Sequence, residues 1–303
     1  MNIIPADVPQ KNKEIYLSNY QAITHNTRRL FLFSCDQKIE HLHDDFRLGD
    51  QTISSEAINP EHFFRIAEQG RIGALAIQLE LIARYGAKYT NIPYIVKLNS
   101  KTNLIDANVA DPISAPLYTV EDVVSFKAET NFAIHGIGIT IYPGSMHEAE
   151  MMNFASQMIL DAHNHGLVAI LWMYPRGKSI VKENDPHLLA GVAGAANALG
   201  ADFVKIKAPD VSAPKNVSNP LQEIVAAAGN TGVLISGGSK KNSRLFLDDL
   251  YQALTHGHIA GAAVGRNIFQ HSLATAVQMT KAISALVYDD TSLNNALEYI
   301  NKL

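Results

Sequence analysis

Cysteine is nearly absent from this sequence of 303 residues, which contains only Cys35. A single cysteine can form no disulfide within the chain and leaves no cysteine cluster for a zinc site. This composition is typical of proteins in reducing compartments, so we expect a cytoplasmic location. The first residues also lack the charged start and apolar stretch of a secretory signal.

Long apolar runs and a strong excess of either charge are missing as well. No stretch approaches the roughly 18 apolar residues that a membrane-spanning helix requires, so no membrane partner is expected. The chain carries 25 Lys and Arg against 29 Asp and Glu, a formal net charge of −4. Nothing in this balance favours nucleic acid as a partner. An anionic substrate would need a local cluster of cations.

The sequence does contain a repeated pattern of short apolar runs. Most of these runs are rich in β-branched residues and nearly continuous, as is typical of strands that are covered on both faces. They occupy residues 30–36, 74–80, 94–100, 134–143, 167–175, 202–209, 232–238 and 261–267. Between them lie segments with apolar residues at helical spacing, among them 145–166, 185–200 and 244–257.

The alternation of strand and helix indicates an α/β protein with parallel strands. Eight such units in about 240 residues favour a closed (β/α)8 TIM barrel over an open doubly wound sheet. The glycine signature of dinucleotide-binding folds does not follow the first strand, which argues against the open sheet. We predict a single domain over 1–303, with an N-terminal helical extension at 1–29, the barrel core at 30–271, and a C-terminal helix and tail at 272–303.

Polar residues and glycines gather at the ends of the apolar runs. The active site of a TIM barrel lies at the carboxyl ends of its strands, so these residues are the candidates for a site. They are Asp36, Lys97, Trp172, Tyr174, Arg176, Lys205, Lys207, Ser236, Gly237, Gly238, Gly265 and Arg266. We expect the three cations Lys97, Arg176 and Lys207 to contribute to substrate binding.

Two lysines interrupt the sixth run, which reads ADFVKIKAPD. Strand side chains alternate with a period of two, so Lys205 and Lys207 face the same way. We expect both to face the barrel interior near its mouth. Two ammonium groups so close together disfavour each other's charge. A neutral lysine is a nucleophile that forms a Schiff base with a carbonyl. The alternative is that one or both lysines reach solvent at the strand end.

The fifth run ends in WMYPRG, which places Trp172 and Tyr174 on one face. A phenol at the mouth of a barrel can act as a general acid or base. The alternative is an aromatic pair that packs beneath a loop. The two readings remain open at this point.

The seventh and eighth runs end in ISGGSK and AVGRN. Paired glycines expose backbone N–H groups, and a phosphate site built from the loops after strands 7 and 8 recurs in these barrels. Arg266 adds a fork of donors, so we predict that Ser236, Gly237, Gly238, Gly265 and Arg266 bind phosphate. Glycine as simple turn punctuation would not explain the arginine.

The histidines occur in three pairs spaced two residues apart, at 41 and 43, 163 and 165, and 256 and 258. Residues two apart on a helix do not face each other, and the second and third pairs fall at predicted helix ends. No HExxH motif is present, and no carboxylate stands at ligand spacing. We therefore predict no metal ligands and no metal cofactor.

Seven motifs at these strand ends together resemble those of the archaeal-type class I fructose-bisphosphate aldolases. They are DQKIEH, KLNSKT, TIYPGS, WMYPRG, ADFVKIK, ISGGSK and AVGRNIFQ, and they run in family order from residue 36 to 270. The resemblance implies a metal-independent lyase that cleaves fructose 1,6-bisphosphate reversibly to dihydroxyacetone phosphate and glyceraldehyde 3-phosphate. It also implies a homo-oligomer, either a pentamer-based ring or a decamer.

The resemblance further implies individual roles. The Schiff-base lysine falls on Lys205, so no cofactor other than this covalent adduct is expected. The acid/base tyrosine falls on Tyr174, and Trp172 lines the substrate. Asp36 lies near the substrate hydroxyls. Apart from the resemblance, the closeness of the two ammonium groups leads us to expect that Lys207 helps to keep Lys205 neutral.

Four positions depart from the family pattern and affect the expected shape of the pocket. They are Lys38, Leu42, Ala208 and Ser239. An alternative function is therefore the same Schiff-base chemistry on another sugar phosphate, as in 2-amino-3,7-dideoxy-D-threo-hept-6-ulosonate synthases or autoinducer-2 phosphate thiolases. A non-catalytic sugar-phosphate sensor would need neither Lys205 nor Tyr174.

Overall fold

Eight parallel strands close into a barrel in the computed structural model, which describes residues 4–50, 52–210 and 220–301. Each strand pairs with the strands before and after it in the chain, and the last pairs with the first. The strands are β1 Leu30–Ser34, β2 Ala74–Ile77, β3 Tyr94–Lys97, β4 Ile134–Ile141, β5 Val168–Met173, β6 Phe203–Ile206, β7 Gly232–Ser236 and β8 Gly261–Val264. The prediction of a TIM barrel is confirmed.

Helices cover the outside of the barrel, and short helical turns follow several strands. In chain order they are α1 Lys13–Thr24, α2 Gln37–Glu40, α3 Glu61–Gln69, α4 Leu79–Tyr85, α5 Val120–Thr130, α6 Glu148–Asn164, α7 Pro186–Ala198, α8 Pro220–Ala228, α9 Ser243–Gly257, α10 Arg266–Phe269, α11 Leu273–Tyr288 and α12 Leu293–Asn301. Helix α7 begins as its sequence predicts, because the side chain of Asp185 caps it and Pro186 occupies its first turn.

The observed strands are shorter than the apolar runs that predicted them. The third run ends at residue 100, for example, but β3 ends at Lys97. Asn99–Ser100 instead pairs with Ala115–Pro116 in a small antiparallel sheet. The residues that leave the barrel ladder are the polar ones at the carboxyl ends, and they form the loops that carry the site.

Alternate residues of each strand fill the barrel interior, while the others pack under the helices. On β6, Phe203 belongs to the interior cluster, whereas Val204 and Ile206 belong to the cluster between strands and helices. By this alternation Lys205 faces inward, as predicted. The interior is packed mainly with apolar side chains up to the level of this lysine.

The predicted N-terminal helix is present as α1 and packs at the amino end of the barrel. Tyr16 and Ile23 of α1 join the interior cluster, and the ring of Tyr20 stacks on Phe203 at 5.6 Å. Asn19 donates a hydrogen bond to the carbonyl oxygen of Gly166 at 2.7 Å. The barrel is thus closed at this end, and its cavity opens at the other.

The C-terminal segment differs from its prediction. One helix and a tail were expected over 272–303, but two helices, α11 and α12, are separated by a turn after Tyr288. Residues 1–3 and 302–303 of the predicted single domain lie outside the described part of the chain, and the single domain stays a prediction. Among the residues that the structure describes, no helix is both long and apolar enough to cross a membrane.

Candidate active site

A cavity of about 770 Å³ opens at the carboxyl end of the barrel. Most of the residues predicted at the strand ends line it. They are Asp36, Tyr174, Arg176, Lys205, Lys207, Ser236, Gly237, Gly238, Gly265 and Arg266. The cavity walls also include side chains that the sequence did not single out, among them Glu40 and Glu183.

Lys205 lies at the base of this cavity and is only 5% exposed. Its ammonium donates a hydrogen bond to the neutral hydroxyl of Ser34 at 3.2 Å. It also lies 5.2 Å from the ring centre of Trp172, which stands beside it on β5. A lysine without a directly bound carboxylate loses little when it gives up its proton, so this environment favours a neutral amine.

Burial lowers the pKa of the Lys205 ammonium, and the nearby charges divide into two groups. The carboxylates of Asp36 and Glu40 oppose the lowering, whereas the cations Lys97 and Arg266 add to it. The electrostatic role expected of Lys207 stays a prediction. Lys207 forms an ion pair with Glu183 in the cavity wall, and Arg176 pairs with the same carboxylate.

Trp172 and Lys97 do not line the cavity as predicted, because both side chains are fully buried. For Trp172 the reason is Gly138 on β4, which leaves the space that the indole fills. A Cβ atom on Gly138 would come within 2.4 Å of the ring. The indole of Trp172 therefore lies in the barrel interior and packs next to the Lys205 side chain.

The ammonium of Lys97 lies within the same buried layer. It donates to the carbonyl oxygen of Asn99 at 2.9 Å and lies 3.4 Å from the carboxylate of Glu40. It is also 5.5 Å from the ring centre of Trp172. The indole thus has two lysine ammonium groups near it, of which Lys97 is paired with a carboxylate and Lys205 is not.

Tyr174 and Asp36 face the cavity close to Lys205. The ring centre of Tyr174 lies 6.0 Å from the Lys205 ammonium. Burial raises the pKa of the Tyr174 phenol well above its usual value, and the carboxylates of Asp36 and Glu40 raise it further. Tyr174 is therefore a phenol rather than a phenolate at neutral pH. Both carboxylate oxygens of Asp36 are buried without a hydrogen-bond partner, which leaves them available to a ligand.

Glu40 is a site residue that sequence reasoning missed. It lies on α2, directly after β1, and its side chain is 15% exposed. Burial raises the pKa of its carboxyl group, and Asp36 adds to this effect, whereas Lys97 and Lys205 oppose it. The only signal in the sequence was its position in the DQKIEH motif, since its partner Lys97 is 57 residues away.

The loops after β7 and β8 lie side by side at the cavity wall. Gly238 has a φ of +66°, a left-handed conformation that glycine adopts without strain. Gly265 lies against β1, where a Cβ atom would come within 2.5 Å of the carbonyl oxygen of Ser34. Arg266 donates from Nε to the carbonyl oxygen of Gly238 at 3.1 Å. The predicted phosphate-binding residues are thus brought together.

Asn267 connects these two loops and was also missed. Its Nδ2 donates to the carbonyl oxygens of Gly237 at 2.8 Å and Ser239 at 3.1 Å. Its Oδ1 accepts from the backbone N–H of Lys241 at 2.8 Å. One buried amide therefore sets the shape of the loop after β7, the glycine loop, and no sequence pattern within that loop could indicate this.

A second group of cations lies at the mouth of the cavity. Arg176, in the loop after β5, donates from Nε and Nη2 to the two carboxylate oxygens of Glu183 at 3.1 and 3.4 Å. Lys207 binds the same carboxylate. Partial burial alone would raise the pKa of Glu183, but the hydrogen bonds from Lys207 and Arg176 outweigh it, so the pKa lies below its usual value.

The four positions that depart from the family pattern have different surroundings. Lys38 turns away from the cavity, because its ammonium donates to the carbonyl oxygen of Ile58 at 2.7 Å and lies 3.5 Å from the ring centre of Phe46. Leu42 has a φ of +52°. Ala208 and Ser239 line the cavity, so these two affect its shape directly.

The histidine pairs do not form a metal site. His163 and His165 lie at the end of α6, and His163 is buried between Asp7 and Asp202 at 2.8 and 3.2 Å. His41 is hydrogen-bonded to Asp45. Within the described ranges, no group of three or more His, Cys, Asp or Glu side chains has an arrangement that would hold a metal ion.

Two curated proteins with similar sequences are named as aldolases. A protein of Methanocaldococcus jannaschii, named fructose-bisphosphate aldolase/6-deoxy-5-ketofructose 1-phosphate synthase, is 47% identical over 295 residues, which are 97% of this chain and 93% of the relative. A fructose-bisphosphate aldolase class 1 of Thermoproteus tenax is 33% identical over 267 residues, or 88% of this chain and 92% of the relative.

Solved structures show the same relationship. A fructose-bisphosphate aldolase from Slackia heliotrinireducens superimposes with a TM-score of 0.95 at 44% identity, covering 99% of this chain and 93% of that one. An archaeal fructose-1,6-bisphosphate aldolase with its catalytic lysine bound to a carbinolamine intermediate gives a TM-score of 0.76 at 29% identity, covering 90% and 99%.

A family model describes the conserved region common to such enzymes. The model of the DeoC/LacD family aldolases matches residues 30–271 of this chain, which include all eight strands of the barrel. With the relatives above, this match shows that the chain belongs to the DeoC/LacD family of aldolases and is a lyase.

Proposed function

We propose that this aldolase cleaves fructose 1,6-bisphosphate reversibly to dihydroxyacetone phosphate and glyceraldehyde 3-phosphate through a Schiff base on Lys205. The observation that carries the proposal is the buried ammonium of Lys205, which is hydrogen-bonded to a neutral hydroxyl at the base of a cavity. Its lowered pKa supports a neutral amine as the resting nucleophile. The names of the relatives support the choice of sugar.

The chemical steps follow from an amine at this position. Neutral Lys205 attacks the C2 carbonyl of the ketose to give a carbinolamine, which loses water and becomes an iminium ion. The electrons of the C3–C4 bond then flow into the iminium group and leave an enamine. The aldehyde departs, and protonation of the enamine at C3 followed by hydrolysis releases dihydroxyacetone phosphate and the free amine. This chemistry requires no metal ion.

Tyr174 moves the protons in this proposal. Its raised pKa makes it a phenol at rest, so it first acts as an acid and protonates the departing hydroxyl of the carbinolamine. The phenolate formed in this way takes the proton from the C4 hydroxyl during cleavage. The same proton is then available for C3 of the enamine. Asp36, with unpartnered carboxylate oxygens, accepts hydrogen bonds from substrate hydroxyl groups.

Two sets of donors would bind the two phosphates of the substrate. The glycine loops, with Ser236, Gly265 and Arg266, bind the C1 phosphate, which is next to the reacting C2 carbon. Arg176 and Lys207 at the cavity mouth bind the C6 phosphate. Binding energy from both ends of the sugar then orients the reacting carbons over Lys205. Trp172 and Lys97 act beneath the cavity by holding Lys205 in place.

The cellular setting is proposed from composition and resemblance. A cytoplasmic enzyme of glycolysis or gluconeogenesis suits the single cysteine and the proposed substrate. The resemblance supports a homo-oligomer built as a pentamer-based ring or a decamer. The proposed partner is a phosphorylated sugar, and neither nucleic acid nor a membrane is expected to bind.

Reductive trapping tests the proposed nucleophile. Fructose 1,6-bisphosphate is added with borohydride, and the adduct is located by peptide mass mapping. We expect a covalent adduct on Lys205 in the wild type and in Lys207→Arg, and none in Lys205→Arg. An active enzyme without an adduct, or an adduct on another residue, would overturn the assignment.

The names of two relatives favour a second substrate. The Methanocaldococcus jannaschii relative also bears the name 6-deoxy-5-ketofructose 1-phosphate synthase, and a 2-amino-3,7-dideoxy-D-threo-hept-6-ulosonate synthase is 32% identical over 204 residues. The same enamine would then add to a different carbonyl compound. Turnover of fructose 1,6-bisphosphate compared with fructose 1-phosphate and 6-deoxy-5-ketofructose phosphate separates these possibilities.

A further inference from the structure

The carboxylate of Glu183 is paired with both cations at the mouth of the cavity. Its two carboxylate oxygens accept from Nε and Nη2 of Arg176 at 3.1 and 3.4 Å, and the ammonium of Lys207 binds the same group. All three side chains line the cavity. The donors that face the opening on this side are thus already engaged by a carboxylate of the protein.

A phosphate group would require the same donors. The guanidinium edge that binds a carboxylate through two parallel hydrogen bonds is also the edge that binds a phosphate. Two anions on one edge repel each other and divide the donors between them. A phosphate at this position therefore binds only as the carboxylate of Glu183 withdraws.

The position of Glu183 makes such a withdrawal feasible. It belongs to the loop between β5 and α7, where Val181 is fully exposed and Lys182 pairs with Asp210 on the surface at 2.9 Å. The side chain of Glu183 is 33% exposed, so water can solvate its carboxylate once it leaves. Ion pairs with this degree of exposure are worth little, which limits the cost of breaking them.

We propose that Glu183 is a specificity-determining residue whose carboxylate competes with the phosphate at the far end of the substrate for Arg176 and Lys207. It thereby weakens the preference for a bisphosphate over a monophosphate ketose. The proposal rests on the function proposed above, in which these two cations bind the C6 phosphate. With Glu183 charged, the group carries one net positive charge, and without it two.

The opposite role is a direct rival. Glu183 would then be a positioning residue that holds Arg176 and Lys207 in the orientation that the phosphate needs. The two roles predict effects of opposite sign when the carboxylate is neutralised, because a competitor weakens phosphate binding and a positioning group strengthens it.

The test is the variant Glu183→Gln, with Glu129→Gln as a control that makes the same change of net charge on the exposed surface of α5. Both KM and kcat are measured with fructose 1,6-bisphosphate and with fructose 1-phosphate, which lacks the C6 phosphate. We expect Glu183→Gln to lower the KM for the bisphosphate about threefold or more, the range of a partly exposed ion pair. The KM for fructose 1-phosphate should stay unchanged, and Glu129→Gln should match the wild type.

The other outcomes decide against the proposal. A higher KM for the bisphosphate in Glu183→Gln supports the positioning role, and an unchanged KM shows that Glu183 does not compete with the phosphate. An equal fall for both substrates indicates a general effect on the cavity. Glu183→Ala must behave as Glu183→Gln does. If the wild type cleaves neither ketose, the proposed function fails instead, so the two failures are distinguishable.

Discussion

The indole of Trp172 lies directly against Gly138, where a Cβ atom would come within 2.4 Å of Cζ3 and 2.5 Å of Cη2. The contact joins neighbouring strands in the barrel interior, just below the level of Lys205. An added Cβ atom would overlap with this ring, which is fully buried and cannot move aside without disturbing its neighbours. This pair of residues therefore sets the floor of the active site.

Gly138→Ala should destabilise the protein by about 1–3 kcal/mol, as overpacking of a core does, and should reduce kcat because Lys205 loses its support. The control is Gly191→Ala on α7, where nothing lies within 4 Å of an added Cβ atom. Helix propensity predicts that this control is neutral or up to about 1 kcal/mol more stable. Thermal unfolding and steady-state kinetics check both, and equal effects of the two variants would contradict the explanation.

Glu40→Gln should move the acidic limb of the pH profile of kcat/KM to lower pH. The carboxylate of Glu40 opposes the lowering of the Lys205 pKa. Without it the pKa falls further, so more of the amine is neutral at a given acidic pH. We expect a shift on the order of one pH unit.

The profile of Glu129→Gln should coincide with that of the wild type, because this carboxyl group is far from the site on the exposed surface. A limb that moves to higher pH in Glu40→Gln would show that Lys205 is not the titrating group, and an unmoved limb would show that Glu40 is not charged while Lys205 titrates.

Asn267→Asp should raise the KM for phosphorylated substrates while kcat changes less. Aspartate cannot donate to the carbonyl oxygens of Gly237 and Ser239, and the loss of two hydrogen bonds corresponds to roughly tenfold in affinity. The added negative charge acts in the same direction.

A matched control is Asn242→Asp, in the same loop region. Asn242 caps helix α9 by accepting from the backbone N–H groups of Arg244 and Leu245, and aspartate does the same. Equal KM values for the two variants would mean that the charge, and not the shape of the glycine loop, governs binding.

His163 should make the stability of the protein depend on pH between about 6.5 and 9. Burial alone lowers its pKa, but hydrogen bonds and charges from Asp202 and Asp7 raise it to about 9. Because the folded-state pKa exceeds the usual value of about 6.5, the stabilisation is complete below that value. This contribution to the free energy of unfolding is lost as the pH rises through the folded-state pKa. The full contribution is on the order of 3 kcal/mol.

His163→Gln should therefore lower the Tm strongly at pH 6 and much less at pH 9. His165→Gln, two residues along and exposed, should have little effect at either pH. A Tm difference between His163→Gln and the wild type that is the same at both pH values would rule out the charged histidine as the cause.

The order of strands and the inward direction of Lys205 could be predicted from the sequence, because both depend on local periodicity. Apolar runs of strand length must be buried, and a period of two places Phe203 and Lys205 on the same face. The glycines after β7 and β8 were likewise recognisable, since their positions at consecutive strand ends bring them to one edge of the barrel.

The depth and the partners of the side chains were decided only by the tertiary structure. Trp172 is buried because Gly138 on the neighbouring strand leaves room for it. Lys207 is paired because Glu183, in another loop, lies next to it in the folded chain. Glu40 and Asn267 gain their roles from residues far along the chain. Electrostatic pairing and close packing depend on distances in space, and these are set by how the strands are staggered around the barrel, which no local pattern encodes.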